Sequence, residues 1–201
     1  MSVRLAWAMA IWLPLAQACT TVVVPPPEPS EPLPVLLLDH GHHASLAVPG
    51  PNGGIVRYAY GDWAYYARRK TNIFVGSAAV LWPTRSGLGR RELPGPPSPI
   101  SIARHLRVWV EHAYTLLVEA ESLERLRSRL DSIFVGNIDS RLYNPAYDLE
   151  FVRHPAPYWA LHNSNQIVAA WLTELGCRIR GTALFSKWEI EPPGGFRGAR
   201  R

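Results

Sequence analysis

The chain has 201 residues, 47% of them hydrophobic, with a formal charge of +5 and an isoelectric point near 9.5. That length fits one domain with an ordinary core once a targeting segment is set aside, and no shift in composition marks a second domain. The positive charge is scattered and almost wholly arginine, Lys70 and Lys187 being the only lysines. With no recognition helix or basic-aromatic repeat it argues against nucleic acid and suits an anionic envelope polymer or lipid headgroup.

The stretch 1–18, "MSVRLAWAMAIWLPLAQA", carries one charge at Arg4, an apolar run to Leu15 and small residues before Cys19, the pattern of a secretory signal. The run is short and broken by Pro14, which argues against a permanent span. "LAQAC" resembles the lipobox of bacterial lipoproteins, which implies lipidation of Cys19 and a membrane anchor; plain cleavage after Ala18 is the alternative. Cys177 would then stand alone as a small buried hydrophobe, with no disulfide in the fold. The six prolines of 20–34 predict an extended spacer, so that 19–34 is a tether, 35–190 the domain and 191–201 a loose tail.

"VLLLDHGHHASLAVPG" predicts a buried strand, an interruption at Gly41 and a second strand over 43–48, with His43, Ser45 and Ala47 on one face. "PGPNGG" is a turn and "IVRYAYGD" the returning strand of a hairpin. A short helix to about Lys70 and a helical turn before Pro83 follow. The Gly- and Pro-rich run 85–99 predicts an irregular loop, and "HLRVWVEHAYTLLVEAE" one or two strands. Leu123, Leu126, Leu130 and Ile133 mark an amphipathic helix with Ser122 as its N-cap. The segment 135–165 reads as mostly loop. A second helix follows, with Val168, Trp171, Leu172 and Leu175 on one face and Gly176 as its stop. "CRIRGTALFSKWEI" predicts a final strand. The sum is an α+β domain, a small antiparallel sheet packed against helices.

Three polar sets can carry chemistry. Asp39, His40, His42 and His43 have the composition of a metal site, which needs a further ligand such as His154 or His162; a solvated bend is the simpler reading. Asp62 at the end of the returning strand either orients the His43 ring or starts a turn. Ser164 in "HNSN" is either a nucleophile in the field of a helix N-terminus, with backbone amides to serve an oxyanion, or part of a cap with Asn163. The aromatic set Tyr58, Tyr60, Trp63, Tyr65 and Tyr66 suits a cleft or a sheet core. No motif calls for a cofactor.

Taken in order, "DHGHHASLAVP", "AYGDWAYY", "LWPT" and "LHNSNQI" resemble the segments "SHGWHTGLV-P", "GWGDRDFY", "FWPT" and "FNTCNTW" of a bacterial envelope protein family often found near urease genes. That family lies within the permuted branch of the NlpC-type papain-like clan. The resemblance spans Asp39 to Ile167 and implies a permuted papain-like fold with His43 as base, Asp62 as its orienter and Ser164 where the clan has cysteine. Serine lacks the thiolate fraction that makes cysteine reactive, so fold is the firmer implication and catalysis the weaker. The expectation is a periplasmic lipoprotein that binds peptidoglycan or lipid. Amide or ester cleavage, or acyl transfer, at Ser164 is the alternative, and a histidine-cluster metalloprotein is a minor one.

Overall fold

A computed structural model describes residues 20–68 and 82–192. The signal segment, Cys19 and the tail beyond Pro192 lie outside the described residues, as does the helical turn expected before Pro83. Among the described residues the architecture is mixed α+β, with ten strands in two sheets and few helices. β1 (Thr21–Val24), β9 (Arg178–Arg180) and β10 (Trp188–Ile190) form a three-stranded sheet, with β1 antiparallel to β9 and parallel to β10. The seven-stranded antiparallel sheet contains β2 (Pro32–Asp39), β3 (Ala44–Pro49), β4 (Ile55–Asp62), β5 (Thr84–Leu93), β6 (His112–Glu119), β7 (Leu142–Asn144) and β8 (Leu149–Tyr158). Their order is β6-β2-β3-β4-β5-β8-β7.

The expected hairpin is present as β3 and β4, closed by a turn in which Asn52 and Gly53 take positive φ of 55° and 72°. The two expected helices are α2 (Ala120–Gly136) and α3 (Ser164–Glu174), after a short α1 (Pro99–His105). α2 begins earlier than expected: Glu119 occupies its N-cap position, and Ser122 lies inside the helix. The helix expected to reach Lys70 is a π-helix, Trp63–Ala67, closed by an Arg68 N–H bond to the Trp63 carbonyl.

Four expectations fail, and the same two residue types account for most of the error. The tether is partly folded: the β-branched run of β1 pairs on both sides, and Val23 is fully buried. Pro32 and Pro34 lie in β2 where β6 is its only neighbour, because pairing to β3 begins at Leu36; a missing N–H is tolerated on such an edge. The region read as loop over 135–165 holds the ten-residue β8, whose Pro155 and Pro157 lie beyond Phe151, where β7 stops pairing. The predicted loop 85–99 is largely β5. Its Gly87 and Gly89 make room for rings, since a Cβ on Gly89 would stand 2.8 Å from Phe151 and one on Gly87 3.1 Å from Trp63. The single final strand is two, β9 and β10.

The sheet is covered on both faces. Val56, Tyr58 and Tyr60 of β4 face the main core with Leu46, Leu88 and Val152, under Leu126 and Leu130 of α2 and Val168 and Leu172 of α3. Ile55 and Ala59 face the other side, under Ile102 of α1 and the Trp63, Tyr66 and Phe151 rings. Cys177 is free and buried, and burial pushes its thiol up to about 12.

Candidate functional site

At one end of the large sheet, the bend between β2 and β3 meets the π-helix and the start of α3. Gly41 sits at φ 85°, its N–H donating to Asp39 Oδ1 (2.8 Å), and the His40 N–H donates to the His43 carbonyl (3.0 Å). This tight bend needs glycine at its left-handed position. It stacks the rings of His40 and His43 with centroids 4.9 Å apart.

His40 is fully committed. Its Nδ1 lies 2.7 Å from the Trp109 carbonyl, which only accepts, so the proton resides on Nδ1 and Nε2 is an acceptor. Nε2 takes a hydrogen bond from Ser45 Oγ (2.8 Å) and one from Arg57 Nη2 (3.2 Å). Arg57, wholly buried, also donates through Nε to Ser45 Oγ (2.9 Å) and through Nη1 to the Tyr147 carbonyl (2.9 Å). Burial lowers Arg57 to about 9 against the opposing pull of Asp148, which itself pairs with Arg91. Burial, and then the field of Arg57, lower His40 to about 3. With both ring nitrogens used, His40 is no metal ligand. His154 and His162 stand against Tyr60, at 5.1 and 5.6 Å between centroids. Among the described residues no three metal-ligating side chains converge.

The His43 ring is enclosed by other rings: His40 stacks on it, and Tyr66 and Tyr147 meet it edge-on at 5.7 and 5.5 Å. Burial lowers it to about 4, with Arg57 and then His42 adding to the effect. Asp62 does not orient it. One Asp62 oxygen accepts from the Tyr65 N–H (2.7 Å) as the cap of the π-helix, and the other accepts from Thr84 Oγ1. Of the two readings offered for Asp62, the turn starter is the one present.

Ser164 is the first residue of α3 and is buried. Asn163 is the cap: its side chain accepts from the N–H groups of Asn165 (3.0 Å) and Gln166 (3.1 Å), and Gln166 Oε1 returns a capping-box bond to the Asn163 N–H. Two amides at the head of α3, those of Asn165 and Gln166, are thereby occupied. The Ser164 hydroxyl lies beside that of Tyr66, opposing part of the rise that burial imposes on the phenol. Asn165 Nδ2 donates to the His42 carbonyl (3.3 Å), tying the helix to the bend, while its buried Oδ1 has no partner among the described residues.

His43 and Ser164 therefore share one corner, each against Tyr66, while Asp62 is employed elsewhere. Cys19 lies outside the described residues. Sequence reasoning missed Arg57 and Asn165, and it placed Tyr66 among cleft or core aromatics and Tyr147 in a loop without bringing either to His43. Arg57 did carry a signal, a charge inside the otherwise apolar "IVRYAY", while Tyr147 comes from a loop with no periodic pattern. Among the described residues no helix is long and apolar enough to cross a membrane. The chain matches no protein-family model, no curated protein and no solved structure.

Proposed function

We propose that this chain is a lipid-anchored protein on the periplasmic side of a bacterial envelope, with a permuted papain-like domain that binds an envelope component without cleaving it. The observation that carries the non-catalytic half is the disposal of the machinery around His43. Its ring is held neutral to about pH 4, the Asp62 carboxylate is consumed by Tyr65 and Thr84, and the capping box covers two amides at the head of α3. A general base works best with a pKa near the working pH, and His43 falls well below it. The envelope half rests on the signal-like start, the lipobox-like "LAQAC" and the ordered segment resemblance. Saturable retention on isolated sacculi or envelope lipid that survives Ser164→Ala tests the binding reading. Loss of retention on that change alone contradicts it.

The second reading, a serine-nucleophile amidase, esterase or acyltransferase, is favoured by one specific observation, the placing of Ser164 and His43 against the same tyrosine. It predicts labelling of Ser164 by a fluorophosphonate probe, abolished by His43→Ala. No labelling of either wild type or Ser164→Cys ends it.

A further inference from the structure

We propose that the end of the large sheet carrying the His43 and Ser164 corner is a membrane-docking face, and that the ligand class met there is an anionic phospholipid headgroup at a bilayer surface. This deepens the envelope reading above and rests on it for location. At this end β2, β4 and β8 finish and β3, β5 and β6 begin. Five large apolar side chains are left in solvent around it: Trp82, Trp109, Trp159, Leu161 and Phe185, exposed by 72, 79, 37, 56 and 59%.

Each is brought there by a contact already on this end. Trp82 precedes Thr84, which pairs with Tyr158, and Trp159 follows Tyr158 and bridges to His162 around the tip holding Leu161. The Trp109 carbonyl accepts from His40. Phe185 lies between Leu184, whose carbonyl accepts from Asn163 Nδ2 (3.2 Å), and Ser186, whose hydroxyl donates to Asp39. Tryptophan, with an apolar body and a polar N–H, is the side chain suited to the boundary between headgroups and acyl chains. Several exposed large apolar groups gathered at one end of a sheet point to an interaction surface, where a single one marks nothing.

Charge and chain path select a bilayer as the occupant. Arg85 and Lys187 are exposed beside these aromatics, while the Asp39 and Asp62 carboxylates of the same end are buried and bonded; Glu111 and Glu189 are exposed acids near Tyr114, on the β6 side. Cations among interfacial aromatics favour anionic lipid. The Thr21 N–H donates to the Lys187 carbonyl (2.8 Å) and Thr21 Oγ1 accepts from the Ala183 N–H (3.0 Å). Thr20, directly after Cys19, therefore leaves the domain alongside the Phe185 loop, so a lipid on Cys19 holds this face against the membrane.

The full chain mixed with vesicles of phosphatidylcholine and phosphatidylglycerol, floated on a density gradient, and read for quenching of tryptophan emission by acyl-chain-brominated lipid tests this. The expected result is a floated chain whose emission is quenched, with part of that quenching lost in Trp82→Phe/Trp159→Phe and, independently, in Trp109→Phe. A floated chain quenched equally in wild type and both variants overturns the docking face and leaves the envelope reading standing. Retention on sacculi without flotation does the same, and absence of both overturns the two together.

Discussion

The two faces of the large sheet are both dry but are built differently. On the face under α2 and α3, the aliphatic side chains of Leu46, Leu88, Val152, Val168 and Leu172 meet through apolar surface alone, with Tyr58 and Tyr60 bonding outward to Asp131 and the Pro157 carbonyl, and an apolar side chain of similar volume can stand in for an aliphatic one. On the opposite face, at the end that carries the histidines, Arg57 supplies three directed hydrogen bonds to Ser45, His40 and Tyr147. Packing of the first kind fixes the fold; bonding of the second kind fixes the orientation of particular rings. The candidate corner sits where the two meet, with α3 anchored in the apolar core and its first residues reaching the histidine bend.

The largest expected effect comes from breaking the directed side. Arg57→Ala takes a donor from Ser45 Oγ and from the Tyr147 carbonyl, while His40 Nε2 keeps its bond from Ser45, and should cost about 2 to 4 kcal/mol by urea unfolding. Arg57→Lys should recover little of it, because one ammonium cannot reproduce the spread of a guanidinium. On the other face Leu172→Met should cost less than about 1.5 kcal/mol, against about 2 to 5 for Leu172→Ala. If Arg57→Lys and Leu172→Met are equally tolerated, the distinction between the faces is lost.

Acid should separate the faces next. His43 and His40 are held neutral in the fold, at about 4 and about 3, against 6.5 for the free side chain. The unfolded chain therefore takes up protons first. Stability is fully present above about pH 6.5 and falls as pH drops toward 4, with a slope approaching about 1.4 kcal/mol per pH unit for each histidine. Urea midpoints at pH 7 and pH 5 measure it, and His43→Phe should remove its share of the slope. Smallest is the loss of the cap at the head of α3: Asn163→Ala should cost about 1 kcal/mol, seen as a lower unfolding midpoint with α3 otherwise retained.

What could be read from sequence follows from where the physics is local. The β3–β4 hairpin, α2 and α3 were legible because their turn residues and apolar periods are written in adjacent positions. β5 and β8 were not, because Gly87, Gly89, Pro155 and Pro157 read locally as breakers. Their suitability depends on a ring from another strand or on an edge with no partner, which only the assembled sheet defines. The site divides in the same way. Residue types and order brought His43 and Ser164 forward, and they do meet one corner. Spacing left Asp62 open between orienting His43 and starting a turn, and the orienting role came only from the resemblance; its bonds to Tyr65 and Thr84 favour the turn. Tyr66, Tyr147 and Arg57 act through contacts that cross the sheet, and Tyr66 reaches His43 only because Gly61 has no side chain to block its ring.

The most direct test of a corner built to bind is an NMR titration of the His43 ring nitrogens in the folded protein, repeated with Ser164→Ala and Asp62→Asn. The expected result is a ring that stays neutral down to about pH 4, with a midpoint unmoved by either change. A midpoint at or above that of a free histidine, shifted by replacing Ser164 or Asp62, would show His43 coupled to them as a base and contradict it.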